Sequence, residues 1–210
     1  MKKFLFILFG APGSGKGFLG SCLKEKIKEK GLSVKYVSTG DLLREEIAAK
    51  TPMGVKLAQI VSSGQLVSDE IVSALVEKAL QTDEDVMFLD GYPRTYVQFD
   101  ALRSQVVDKF VVITIMRDTP IELIIERVSK RRVCRNCKAT HSTDDGCCPQ
   151  CGGESIIRSD DAVIDKRLAE YERNTASLWS DLKLISNEMY VVDGRDDAEI
   201  AAEEIVSDIF

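Results

Sequence analysis

The chain has 210 residues, 44% hydrophobic and 30% charged, proportions that suit one compact α/β domain with inserted parts. Its 28 Lys and Arg against 34 Asp and Glu give a net charge of −6, which argues against a broad nucleic-acid surface. No apolar run reaches the ~20 residues needed to span a bilayer. Five of the six cysteines fall within residues 134–151, which argues for a metal site over a disulfide framework.

The chain opens on two lysines and an apolar run, a start that mimics a secretion signal. The run is short and leads into a glycine loop rather than a small-residue cleavage site, so it reads as the first strand of a cytoplasmic protein. Six apolar residues at 4–9 suit a strand covered on both faces. Residues 10–17, GAPGSGKG, then form a loop whose backbone N–H groups can turn inward around an anion. Apolar residues at 18, 19, 22, 23 and 27 predict an amphipathic helix to about Lys30, with its N-terminus aimed at the enclosed phosphate. Lys16 adds an ammonium for the outer phosphates. Gly17 stands where the general phosphate loop places a magnesium-reaching Ser or Thr. Magnesium must then be held through water or by a distant carboxylate.

Further apolar runs at 34–37, 86–89, 110–115 and 189–192 alternate with helix-like segments. This repeated β-α pattern predicts a five-stranded parallel sheet with helices on both faces, and chemistry just beyond the carboxyl ends of the strands. After the second strand, Ser38 or Asp41 can cap a helix starting near Leu42 and running to about Lys50. Pro52 suits the first turn of the next helix, which ends near Ser63 before Gly64. Residues 38–67 thus predict a helical hairpin projecting from the sheet.

The third strand ends in Leu89-Asp90-Gly91-Tyr92-Pro93-Arg94-Thr95. Alone, Asp-Gly reads as a turn, but Asp90 beside the glycine loop is placed to hold hydrated magnesium, and Arg94 can grip phosphate in the same crevice. Arg127, Lys130, Arg131, Arg132 and Arg135 put five cations into nine residues of an acidic chain. They suit a helix C-terminus or an anion site. Arg158 and Arg167, beyond an insertion, should return to the same place.

That insertion holds Cys134-x-x-Cys137 and Cys148-x-x-Cys151, two pairs separated by ten residues. Two such turns complete a tetrahedral S₄ set, the geometry of structural zinc with no open catalytic position. Cys147 is left out of the set, and His141, the sole histidine, is read as an exposed loop residue with ligation and nucleotide contact as alternatives.

Taken together, the ordered motifs GAPGSGKG at 10–17, STGDLLR at 38–44, GQLVSDE at 64–70, LDGYPRT at 89–95 with Gln98, RVSKRRVC at 127–134, and RSDD at 158–161 with Arg167 resemble the adenylate kinase family in its long, zinc-lid bacterial form. The resemblance implies a core of residues 1–37, 68–129 and 161–210, an AMP-binding hairpin at 38–67 and a zinc-binding lid at 130–160. It implies an enzyme running Mg·ATP + AMP ⇌ 2 ADP, with Mg2+ and a structural Zn2+. By likeness, Gly13, Ser14, Gly15, Lys16, Gly17 and Phe18 meet ATP, with Arg127 and the Asp196 carbonyl near its base and Arg131 over its phosphates. Thr39, Gln65, Leu66, Val67 and Gln98 would recognise the AMP base, and Arg44 and Arg94 would hold its phosphate. Arg158 would close over the phosphates with Arg131, and Arg167 would face the transferring group. Gly91, Arg158 and Arg167 also belong to the implied AMP site. Lys16, Asp90, Arg94, Arg131, Arg158 and Arg167 form the implied catalytic set, and Cys134, Cys137, Cys148 and Cys151 the metal set.

The chain departs from the family pattern in four places. Phe18 replaces a usual Thr, Thr140 replaces the Tyr before His141, the gap between cysteine pairs is short, and the segment after Asp161 is about two residues short. Kinases for UMP, CMP or GMP, and a catalytically weak nucleotide-binding protein, are the alternative readings. ATP, AMP and ADP are the expected partners of a monomer that binds neither nucleic acid nor membrane.

Overall fold

The computed structural model describes residues 3–50, 52–62, 67–137, 139–142, 146–157 and 159–210, apart from the side chains of residues 53, 159 and 160. Its centre is a parallel sheet of β1 (Lys3–Phe9), β2 (Val34–Ser38), β3 (Val86–Asp90), β4 (Phe110–Asp118) and, late in the chain, β8 (Glu188–Asp193). The strand order is β2-β3-β1-β4-β8, so β1 lies in the middle, with β3 on one side and β4 on the other. Connections leave β1 and return on opposite sides, and the crevice beyond the strand ends opens at that reversal.

Alternation along β1 divides the core in two. Leu5, Ile7 and Phe9 join a cluster roofed by α3 (Pro52–Ser62), α4 (Asp69–Leu80), α5 (Tyr96–Val106) and α8 (Leu178–Leu182). Phe6 and Leu8 face the opposite cluster, formed with α1 (Lys16–Glu29) and α9 (Ala198–Ile209). Burial on both faces is why the strand reads as an unbroken apolar run. Asp90 ends β3 in register with Leu8 of β1 and Ser38 of β2, which places all three at the crevice lip.

Element boundaries shift where polar residues hide regular structure. Helix α1 begins at Lys16, two residues earlier than its apolar pattern. Helix α2 (Thr39–Ala48) begins three residues before Leu42, because the Ser38 hydroxyl accepts from the Asp41 N–H at 3.2 Å and caps it. Strand β4 extends past Ile115 to Asp118, since Met116, Arg117 and Asp118 pair with Val191, Val192 and Asp193 of β8. The stop of α3 near Gly64 lies outside the described residues.

After α6 (Ile121–Lys130), the cysteine segment forms a small antiparallel sheet of β5 (Arg132–Cys134), β6 (Thr140–His141) and β7 (Ser155–Ile156), in the order β6-β5-β7. A short 3-10 turn (Ser159–Val163) then leads into α7 (Ile164–Asn174). Among the described residues 132–157 only Cys134 and Cys148 are buried, so this excursion has no apolar core of its own.

Candidate active site

The glycine loop works by backbone geometry. Gly15 adopts φ 90°, a left-handed conformation that costs glycine little, and this turns the chain directly into α1 at Lys16. Beneath the loop, the Ser14 carbonyl accepts from the Thr119 hydroxyl at 2.9 Å and from Arg127 Nη1 at 3.2 Å. The Ser14 side chain is fully buried and its N–H donates to the Ala11 carbonyl. Ser14 therefore braces the loop from behind, while Gly13, Gly15, Lys16, Gly17 and Phe18 line the crevice.

Two adjoining cavities meet over this loop. One, about 2180 Å³ with its open mouth included, runs between the loop and β6, and Asp90, Arg127, Arg131 and His141 lie on its walls. The other, about 940 Å³, lies between α2, α3 and α7, with Leu43, Val61, Val67, Gly91 and Tyr171 on its walls. Lys16, Arg44, Arg94 and Arg167 line both. Four cations thus stand at the junction.

Their crowding has an electrostatic consequence. Burial, and after it the positive charges of Arg94, Arg167 and Arg131, lowers the Lys16 pKa to about 8 despite the opposing pull of Asp90. Lys16 Nζ donates to the Ala11 carbonyl at 3.2 Å. Arg94 is folded back so that Nε donates to the Gly91 carbonyl at 2.7 Å. Arg131 Nε donates to Asp161 Oδ2 at 2.9 Å and Nη2 bonds Oδ1, so a buried carboxylate presets this guanidinium. Arg44 pairs with Asp41 on the exposed face of α2. Two cationic side chains bind backbone in the segment between β8 and α9: Arg127 Nη2 bonds the Gly194 carbonyl at 2.7 Å, and Arg117 Nη2 bonds the Asp196 carbonyl at 2.6 Å.

Gly17 finds its explanation here. A Cβ at that position would sit 3.3 Å from Asp90 Oδ2, so glycine leaves room for the carboxylate to stand over the start of α1. An acidic oxygen beside Lys16 and the loop is a fitting anchor for the waters of a hydrated cation.

Several predicted residues stand behind the cavity walls. The Thr39 hydroxyl donates to the Gly91 carbonyl at 3.0 Å. Gln98 is buried, its Oε1 accepting from the Arg94 N–H and its Nε2 donating to Asp69 Oδ1, both at 2.8 Å. These contacts fasten the Gly91–Arg94 turn to α4 and α5. Gln65, Leu66 and Arg158 lie outside the described residues. Sequence patterning gives no role to Tyr36, Arg117 or Asp161, whose contacts join segments far apart in the chain.

In the small sheet, Cys134, Cys137, Cys148 and Cys151 bring their sulfurs within 4.8 Å of one another. Cys134 Sγ to Cys151 Sγ is 3.4 Å and Cys137 Sγ to Cys148 Sγ is 3.6 Å, with no disulfide formed. Zinc–sulfur bonds near 2.3 Å in a tetrahedron imply edges of about 3.8 Å, so the set fits such an ion. The Asn136 N–H also donates to Cys134 Sγ at 3.3 Å. Backbone N–H groups of Cys137 and Asn136 hold the Cys134 thiol near 6. The Cys137 thiol is pushed up to about 12 by its sulfur neighbours, against the pull of the Ala139 N–H. The four sulfurs at this spacing are compatible with a bound metal ion. Cys147 is exposed and outside the set, and His141 sits in β6 rather than a loop, its Nε2 2.7 Å from Ser155 Oγ.

Among the described residues, no helix is long and apolar enough to cross a membrane. A family profile described as adenylate kinase matches residues 8–184. The chain is 37% identical to the adenylate kinase of Clostridium beijerinckii over 184 residues, covering 82% of this chain and 83% of that protein. It is 39% identical to that of Pseudothermotoga lettingae over 184 residues, 82% of each. Over 216 aligned residues it is 35% identical to the Clostridium novyi protein, 97% of each. With a phosphate loop, a double cavity ringed by cations and this extent of likeness, the chain belongs to the adenylate kinase family.

Proposed function

We propose that this chain transfers the terminal phosphoryl group of Mg·ATP to AMP, reversibly, giving two ADP. One observation carries the reading: Lys16, Arg44, Arg94 and Arg167 are shared by two nucleotide-sized cavities, so phosphates entering from either side meet the same cations. Phosphoryl transfer needs little covalent help from a protein. It needs two phosphates held in line, neutralised and kept from water.

The cavity along the loop takes ATP. Gly13, Gly15 and Gly17 offer backbone N–H groups to its phosphates, and Lys16 follows the migrating group. Arg127 flanks the base, and the Asp196 carbonyl lies at its edge. The cavity beside α3 takes AMP, with Arg44 and Arg94 on its phosphate and the backbone of residues 65–67 at its base. Gln98, behind the wall, would act on the base site by holding the Arg94 turn against Asp69, and Thr39 orders the turn at Gly91. Arg131, Arg158 and Arg167 close over the transferring group. Asp90 holds the hydration shell of Mg2+, which supplies charge neutralisation at the phosphate oxygens.

The metal in the cysteine sheet is Zn2+, with a structural role, and the sheet serves as a lid over ATP, residues 130–160. Residues 38–67 serve as the AMP-binding hairpin, and residues 1–37, 68–129 and 161–210 as the core. The protein acts as a cytoplasmic monomer. A coupled assay following ADP formation from ATP and AMP tests the reading, with CMP, UMP and GMP offered in place of AMP. AMP is expected to win by about 10³-fold or more in kcat/KM, since polar base pockets discriminate sharply. Absence of ADP would sink the proposal, and a preference for another monophosphate would move it to a sister activity.

A further inference from the structure

Tyr36, in β2, is built into the crevice with unusual care. A Cβ at residue 20 would stand 2.6 Å from the Tyr36 hydroxyl, so Gly20 in α1 opens the space that the phenol occupies. The ring stacks on Phe88 at a centroid distance of 5.5 Å, and Phe88 stacks on Phe6 at 4.8 Å. Strand register sets this ladder, since Tyr36, Phe88 and Phe6 are partners across β2, β3 and β1. The ring is held by its neighbours, and its hydroxyl donates to Asp90 Oδ2 at 3.2 Å.

Asp90 Oδ1 accepts no hydrogen bond among the described residues. The carboxylate is thus tethered through Oδ2, the oxygen that also stands 3.3 Å from where a Gly17 Cβ would lie. Burial, and then the neighbouring Asp90 charge, raises the Tyr36 pKa, which keeps the phenol a donor at any working pH. Both side chains line the cavity along the glycine loop.

We infer that Tyr36 is a positioning residue for phosphoryl transfer, anchoring the Asp90 carboxylate through Oδ2 so that it is held beside the glycine loop, where the water shell of the divalent cation carried by the donor nucleotide would lie. The inference rests on the assignment of Asp90 to that cation in the preceding subsection. Hydrogen-bond partners of a metal-holding carboxylate typically change metal affinity 10- to 100-fold when removed. The stacked ladder supplies rigidity, and the hydroxyl supplies the contact. Only the second is lost in Tyr36→Phe.

The test is a Mn2+ titration followed by electron paramagnetic resonance, on the full chain with ATP saturating and AMP absent. Tyr36→Phe is expected to weaken Mn2+ binding about 10-fold. In steady-state assays the apparent KM for Mg2+ should rise by a similar factor, while kcat at saturating Mg2+ stays within about twofold of the parent. Asp90→Asn separates the two claims. If Asp90→Asn weakens Mn2+ binding and Tyr36→Phe does not, the positioning role is wrong and the Asp90 assignment stands. If Asp90→Asn leaves Mn2+ binding unchanged, the Asp90 assignment itself fails and takes the inference with it. A fall in kcat that saturating Mg2+ does not restore would also overturn it.

Discussion

Lys16 joins protonation to binding. Its folded pKa of about 8 lies below the ordinary value of 10.5, so between those values the folded chain binds fewer protons than the unfolded one. Lys16 therefore costs stability below pH 8, and that cost is relieved as pH rises from 8 toward 10.5. Catalysis has the opposite slope. Above pH 8 the free enzyme loses the ammonium, so kcat/KM for ATP should fall on an alkaline limb near pH 8, while the limb in kcat moves upward because bound phosphates restore the proton. A profile from pH 7 to 10 checks this, and a limb in kcat/KM no lower than pH 10 would contradict it. Phe18 supplies a second prediction at this scale. Its ring is 62% exposed at the start of α1, beside the loop, where it can donate nothing to a phosphate. Phe18→Thr adds a hydroxyl there and should raise kcat/KM for ATP by about 3- to 10-fold, the worth of one added hydrogen bond. Steady-state kinetics with unchanged or lower kcat/KM would refute it.

Among the elements, the cysteine sheet depends most on a ligand. Strands of three, two and two residues, with only two buried cysteines among the described residues of the segment, cannot supply a core. A metal bound by the four sulfurs would hold it, with apparent energies on the order of 10 kcal/mol in isolated zinc modules. Stripping the metal by chelation should lower Tm by on the order of 10 °C. The single-turnover rate, measured below the new Tm, should change by less than about threefold, because the sulfur set is closed and lacks a position for substrate. Calorimetry and rapid quench together decide, and equal loss in both would assign the metal a part in transfer. The short strands themselves were not legible in the sequence. Their residues, such as Thr140-His141 and Ser155-Ile156, carry too little alternation to show a period.

Across the whole molecule, an acidic chain of net charge −6 gathers its cations where two cavities meet. Low-dielectric walls concentrate that field on entering phosphates. The sheet, the glycine loop, the cysteine pairs and most of the converging arginines were legible in the sequence, because each follows from local pattern: unbroken apolar runs, a loop between strand and helix, two-residue sulfur spacing. Contacts between distant segments were not. That Gly17 makes room for Asp90 and that Tyr36 reaches Asp90 through a gap left by Gly20 depend on the parallel register of β1, β2 and β3 and on α1 packed across them. That Asp161 holds Arg131 depends on the turn before α7 returning to the end of α6. Periodicity is a property of neighbours along the chain, so the sequence by itself determined the layers and the phosphate-binding chemistry. Which group holds which carboxylate is decided by atoms 16, 30 or 54 residues apart, and only the folded packing brings those together.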